Sequence, residues 1–170
     1  MKAVSHIAVG VRDMDRSLHF YHDLLGLKVC LDTMESVGGL KTLFANPVKG
    51  KRRAVYLRFE DGPHSSFIVL SQNPVEVPGD TIKIDQVGVH HFALWVDDLR
   101  ERVEQLKAAG VPILVPPIES DTVAYGEPPG KKVLTCLFQD PDGIISFSSS
   151  ISACPSSNRV QEPRPGGEKG

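Results

Sequence analysis

Apolar and polar positions run along this chain in two matching series. Residues 3–11 (AVSHIAVGV) are valine-rich and read as a buried strand. Asp13 offers a helix N-cap, and DMDRSLHFYHDLLG follows with Leu18, Tyr21, Leu24 and Leu25 at helical spacing. Gly26 supplies the left-handed stop. A second strand is expected from about Leu27 to Met34. A Gly38-Gly39 break then leads through a less regular stretch into a basic loop. Arg53–Phe59 alternates as a third strand, Asp61-Gly62-Pro63 turns the chain, and Ser66–Ser71 forms the fourth. Beyond a polar, proline-bearing linker (NPVEVPGD, 73–80) the order recurs. Gly88–Val96 is a strand, and Asp98 caps a helix with Leu99, Val103, Leu106 and Ala109 on one face before Gly110 ends it. Pro112–Val115 starts a strand that Pro116-Pro117 stops; Lys132–Phe138 is the third strand. Asp140-Pro141-Asp142-Gly143 reads as a turn rather than a calcium loop, because the further acids of an EF-hand are missing. Ile144–Ser150 is the last strand.

The recurrence reaches individual residues. SHIAVGVRD (5–13) and HHFALWVDD (90–98) superpose at one constant offset, setting His6 on His91, Ala8 on Ala93, Val11 on Val96 and Asp13 on Asp98. The pattern predicts an α+β chain of two tandem βαβββ modules within a single domain, residues 1–151: module one 1–72, linker 73–86, module two 87–151. From Pro155 the composition shifts to Pro, Gly, Ser and charge, with Val160 the only aliphatic residue. Such a segment buries too little apolar area to offset its ordering entropy, so 152–170 is expected to be a flexible tail.

Composition narrows the function classes. Of 170 residues, 41% are hydrophobic and 24% charged, as in an ordinary globular protein, and a net charge of −2 gives no electrostatic footprint for nucleic acid. The basic run Lys49, Lys51, Arg52, Arg53 lacks interleaved aromatics and reads as a solvated loop. No run reaches membrane-spanning length, and Arg12 and Asp13 interrupt any signal-peptide core. Cys30, Cys136 and Cys154 form no CxxC pair, which fits a reducing compartment, and Cys136 reads as buried and inert. A cytoplasmic protein with neither nucleic-acid nor membrane partners is expected.

Three phrases carry a family resemblance: residues 5–29 (SHIAVGVRDMDRSLHFYHDLLGLKV), 90–113 (HHFALWVDDLRERVEQLKAAGVPI) and 138–147 (FQDPDGIISF). They resemble the vicinal oxygen chelate superfamily, which includes glyoxalase I, methylmalonyl-CoA epimerase, extradiol dioxygenases, and the fosfomycin and bleomycin resistance proteins. The resemblance implies a glyoxalase/bleomycin resistance/dioxygenase fold, in which paired modules form a curled mixed sheet around a cleft. It also implies a homodimer. Metal-using members place one ligand on the first strand and one on the last strand of each module, and the first-strand positions match His6 and His91. Strand alternation sets His91, Ala93 and Trp95 on one face and His90 on the other. Two imidazoles suit Fe, Zn, Ni or Mn. The last strands, however, carry Phe67, Ile68, Val69, Leu70 and Ile144, Ile145, Ser146, Phe147, Ser148, with Ile68 and Ser146–Phe147 taken as the carboxylate positions. The third, carboxylate ligand is absent. Any divalent ion on His6 and His91 is therefore expected to be weakly held, its sphere completed by water, substrate or another residue. Glu60, His64, Glu127 and Gln139 lie near strand ends, and no spacing selects among them.

Without a metal the histidines keep a chemistry. Histidine changes charge near neutral pH and can exchange a proton with a substrate carbon or hydroxyl. A lone histidine on an apolar strand is otherwise a core residue. Substrate-binding candidates are Tyr56, Trp95, Ser146, Phe147 and Ser148. Arg58 alternates with Tyr56, Phe67 or Ile68 adds apolar lining, and the period-two serines 146, 148 and 150 read as a polar cleft floor or a solvated edge. His19 and His22 belong on the helix surface. The leading expectation is a small-molecule enzyme of lyase, isomerase or ring-cleaving dioxygenase type, acting on an oxygenated, aromatic or hydrophobic substrate in a cleft with His6 and His91. The alternative is a metal-free sequestering protein of the bleomycin-resistance type. A module for protein–protein interaction stands third.

Overall fold

A computed structural model of the chain describes residues 3–36, 50–62, 64–76 and 79–151, with the backbone alone for 147–151. The Gly38-Gly39 break, Lys49, Cys154 and the whole segment 152–170 lie outside the described residues. Strand β1 (His6–Val11) leads into helix α1 (Met14–Leu18), which continues as a π-helical turn (His19–Leu24). Strands β2 (Lys28–Ser36), β3 (Lys51–Arg58) and β4 (Phe67–Gln72) complete the first half. The second half repeats the order: β5 (His91–Trp95), α2 (Leu99–Ala108), β6 (Ile113–Asp121), β7 (Lys132–Gln139) and β8 (Ile145–Ile151). Each half makes a four-stranded sheet, ordered β1-β4-β3-β2 and β5-β8-β7-β6. In each, only the first strand runs parallel to its neighbour. This is the expected α+β arrangement of two like modules.

Local chemistry explains the repeated start. Asp13 accepts from the amides of Asp15 and Arg16, and Asp98 from that of Glu101, satisfying donors that a helix start leaves unpaired. Gly26 and Gly110 follow the helices at φ of +81° and +77°, where a side chain is strained. Gly26→Ala is expected to destabilise the fold by about 1–2 kcal/mol, read by urea denaturation, since the space around it is open and only the backbone objects.

Four expectations need correction. The first helix does not keep one α-helical face: Leu25 N–H donates to Phe20 C=O at 3.0 Å, an i→i−5 bond. That wider turn buries Met14, Ser17, Phe20 and Tyr21 and leaves Leu18, Leu24 and Leu25 only partly buried. Ala109 is exposed, because α2 ends at Ala108. Pro116-Pro117 do not stop β6. They sit in an edge strand, between Val115 and Ile118, where the ladder register shifts and no amide donor is required. Lys51, Arg52 and Arg53 open β3 rather than a loop, with Arg52 paired to Glu35 and Arg53 to Asp15 and Asp32.

The helix-facing sides of both sheets share one core. Val9, Val11, Leu57, Ile68 and Leu70 join Phe92, Leu134, Cys136 and Phe138 there, with Phe20 and Tyr21 from the first helix and Leu99, Val103 and Leu106 from α2. The Phe20 and Phe138 rings stand 6.1 Å apart across the module boundary. Beside them the buried Tyr21 hydroxyl donates to Asp140 Oδ2 at 2.9 Å. Asp140 Oδ1 accepts from the amides of Asp142 and Ile144, closing the turn before β8. Burial pushes the Asp140 carboxyl above the usual carboxylate range, and burial beside Asp140 raises the Tyr21 phenol. Among the described residues no helix is long and apolar enough to cross a membrane.

Candidate functional site

With the helices covering one side of each sheet, both repeat histidines stand on the opposite sides, which are open at the strand starts and closed further along, where Ala54, Val69, Val133 and Thr135 are buried. His6 and His91 are each the first residue of their strand and exposed, while the alternating positions Val9 and Phe92 are buried. Their registers correspond: His6 lies opposite Phe67, the first residue of β4, and His91 opposite Ile145, the first of β8. His6 Nδ1 is engaged by Ser5 Oγ at 3.0 Å. His91 Nδ1 meets His90 Nδ1 at 2.7 Å, so one ring donates while the other accepts. The expected separation of His90 from His91 does not occur. His90 precedes β5, where strand alternation does not apply.

Module one presents a charged open face. Cross-strand register places His6, Phe67 and Arg58 in one row and Ala8, Val69 and Tyr56 in the next. The Phe67 ring stacks with His6 at 5.0 Å and 17°, and the Arg58 guanidinium lies 5.0 Å from the same ring's centre. Tyr56 stands 5.9 Å from Phe67 and donates its hydroxyl to Glu35 Oε1 at 2.6 Å. Arg52 bonds Glu35 Oε2 at 2.8 Å and Ser71 Oγ at 3.2 Å. The Tyr56 hydroxyl, then Arg52, hold the Glu35 carboxyl below its ordinary range, and the same bond raises the Tyr56 phenol.

Module two presents a more apolar open face. His91, Ala93 and Trp95 share it, with Trp95 59% exposed and 5.1 Å from the Tyr125 ring. Leu137 and Gln139 on β7 lie on the same side by register with Phe147 and Ile145. Ser146 is elsewhere: fully buried, opposite Phe92 and Phe138, with an unpartnered hydroxyl on the core side. The backbone register sets Ser148 opposite Cys136. Two bulky core aromatics flanking Ser146 favour a small residue between them. Phe147 is in register with Ala93, on the His91 side. In module one Ile68 is buried in the core, and Phe67 and Val69 take the open-face positions. Cys136 is buried, and burial raises its thiol.

The metal that the fold family implies is tested by its donors. Among the described residues no three His, Cys, Asp or Glu side chains come together to hold an ion. The remaining sequence offers only Cys154, Glu162 and Glu168. On β4 the open-face neighbours of His6 are Phe67 and Val69, and on β8 Phe147 holds the corresponding place. Gln139 donates its amide to Gly143 C=O, and Glu127 pairs with Lys131. This donor set does not fit a resident ion of three or four protein ligands. Two cavities open elsewhere, one of about 540 Å3 beside Gly10, Arg12 and Asp142, the other of about 920 Å3 between Phe59, Glu60 and Trp95. Trp95 borders the second; His6 and His91 line neither.

Sequence reasoning missed Glu35, because its pairing with Arg52 crosses a long connection whose register no local pattern reveals. Arg58 carried a signal, its alternation with Tyr56.

Known proteins share this architecture. Residues 3–145 match the Glyoxalase/Bleomycin resistance protein/Dioxygenase superfamily model. The uncharacterized protein YwbC of Bacillus subtilis is 30% identical over 98 residues, 58% of this chain and 64% of that protein. Lactoylglutathione lyase of Haemophilus influenzae is 28% identical over 151 residues, covering 88% of this chain and 93% of the relative. Mitochondrial methylmalonyl-CoA epimerase of Mus musculus is 26% identical over 142 residues, 84% and 69% of the two chains. A glyoxalase family protein from Bacillus cereus superposes with a TM-score of 0.67 at 15% identity, over 89% of this chain and 95% of its own.

Proposed function

The chain belongs to the Glyoxalase/Bleomycin resistance protein/Dioxygenase superfamily, and on that premise we propose that it is a small-molecule enzyme of the lyase or isomerase kind. Its substrate is an oxygenated organic molecule bound on the open sheet faces, and His6 and His91 carry the proton. One observation carries this reading: two histidines at equivalent registers, both exposed on the face opposite the shared core. A histidine belonging to the shared core would point the other way. A lyase and an epimerase among the relatives support the enzyme class. The proposed assembly is a homodimer.

The shortage of metal donors favours a second reading, binding without turnover. One experiment separates the two. Chelator-treated protein is mixed with phenylpyruvate in deuterated water, and deuterium uptake at the carbon beside the carbonyl is followed by NMR alongside calorimetric binding. Accelerated uptake supports the enzyme, and binding without acceleration supports sequestration. Neither outcome occurring would sink both.

The donor set also predicts the metal content. Protein purified without chelator and then dialysed against EDTA should carry far less than one ion per chain by elemental analysis. A stoichiometric ion surviving dialysis would contradict the metal-independent reading.

A further inference from the structure

Of the three arginines on β3, two are neutralised: Arg52 by Glu35, and Arg53 by Asp15 and Asp32. Arg58 is different. Its Nη1 donates to the carbonyls of Gly62 and Ser65 at 3.2 and 3.0 Å, which orients the guanidinium without cancelling its charge. Among the described residues no carboxylate pairs with it, although it is half-buried beside an aromatic ring. A fixed, uncompensated guanidinium on an open face is an unused oxyanion receptor, because its planar fork matches a carboxylate by two parallel hydrogen bonds. Phe67 lies between Arg58 and His6 in the same cross-strand row. Two strand spacings separate the outer members, about 10 Å between their backbones.

Resting on the site proposed above, we propose that Arg58 is its specificity-determining residue and that the ligand is an organic carboxylate. The carboxylate meets the free edge of Arg58, the apolar middle of the molecule crosses the edge of the Phe67 ring, whose faces His6 and Arg58 occupy, and an oxygen at the far end reaches His6. No covalent step is involved. Arg58 binds charge and fixes direction along the row, so that the reacting part lies at the histidine rather than at the cation.

The test uses the full chain and three probes: phenylpyruvate, its methyl ester and phenyl phosphate. Native protein should bind the acid more tightly than the ester. Arg58→Gln should weaken phenylpyruvate binding by about tenfold or more, in line with loss of a charge-assisted hydrogen bond, and leave ester binding unchanged. Arg58→Lys should recover only part of the loss, because the ammonium keeps charge without the fork. Because Arg58 also braces the carbonyls of Gly62 and Ser65, thermal melts of both variants accompany the titrations. Equal loss for acid and ester in Arg58→Gln, or full recovery in Arg58→Lys, overturns the assignment. Tighter binding of phenyl phosphate than of phenylpyruvate overturns the carboxylate in favour of a phosphate group. Ester binding with acid binding indifferent to residue 58 removes the role of Arg58 and leaves the proposed function intact. Binding of no probe by the native chain removes both.

Discussion

Asp140→Ala is expected to lower the stability of the folded chain by about 2–4 kcal/mol, because it strands one buried and two part-buried donors at once. Those donors are the Tyr21 hydroxyl and the amides of Asp142 and Ile144. The first belongs to module one and the others to the turn of module two, so the loss should appear in a single cooperative urea transition. Asp140→Asn keeps the acceptor for the two amides and offers an amide group to the Tyr21 oxygen, and it should cost far less. The pair of variants also fixes a pH dependence. Burial raises the Asp140 carboxyl in the folded state, so its contribution is fully present below the unfolded value near pH 4 and is lost as pH rises through the folded one. Native stability should therefore decline across that window relative to Asp140→Asn. Parallel pH profiles for the two proteins would show that the hydrogen bonds from Tyr21, Asp142 and Ile144 offset the burial, and would refute the upward shift.

The second large effect concerns turnover. If His6 and His91 transfer the proton, His6→Ala and His91→Ala should each reduce kcat/KM for deuterium uptake by ~10²–10⁴-fold, the usual contribution of a positioned acid or base. Both side chains are exposed, so the fold should survive and circular dichroism should be unchanged. His90→Ala is the informative control. It removes the ring that touches His91 Nδ1 at 2.7 Å but leaves the proton carrier, and its effect should be smaller. Unaltered kcat/KM in both alanine variants would end the enzyme reading.

The double module was legible because its signals are local and physically independent. Valine-rich strands, caps at Asp13 and Asp98 and left-handed glycines at 26 and 110 each act within a few residues. The resemblance also has a contact beneath it, since Tyr21 of the first phrase and Asp140 of the last meet in the core. What could not be read depends on register between distant segments. The period-two serines suggested a wet face, yet Ser146 is the small partner of Phe92 and Phe138. Glu35 joins Arg52 and Tyr56 only once β2 and β3 are aligned. Tyr56 and Trp95 do reach open faces, but in different sheets, with Glu35 closing over one and Tyr125 against the other.

The prolines of β6 bear on a different matter, self-association through sheet edges. An edge strand presents unpaired amides and carbonyls to any extended chain that arrives, which is the usual route to uncontrolled stacking. Pro116 and Pro117 carry no amide proton, and they stand where β6 is already out of step with β7. A newcomer strand finds no continuous ladder to extend along that flank, so the edge resists fibre-like growth.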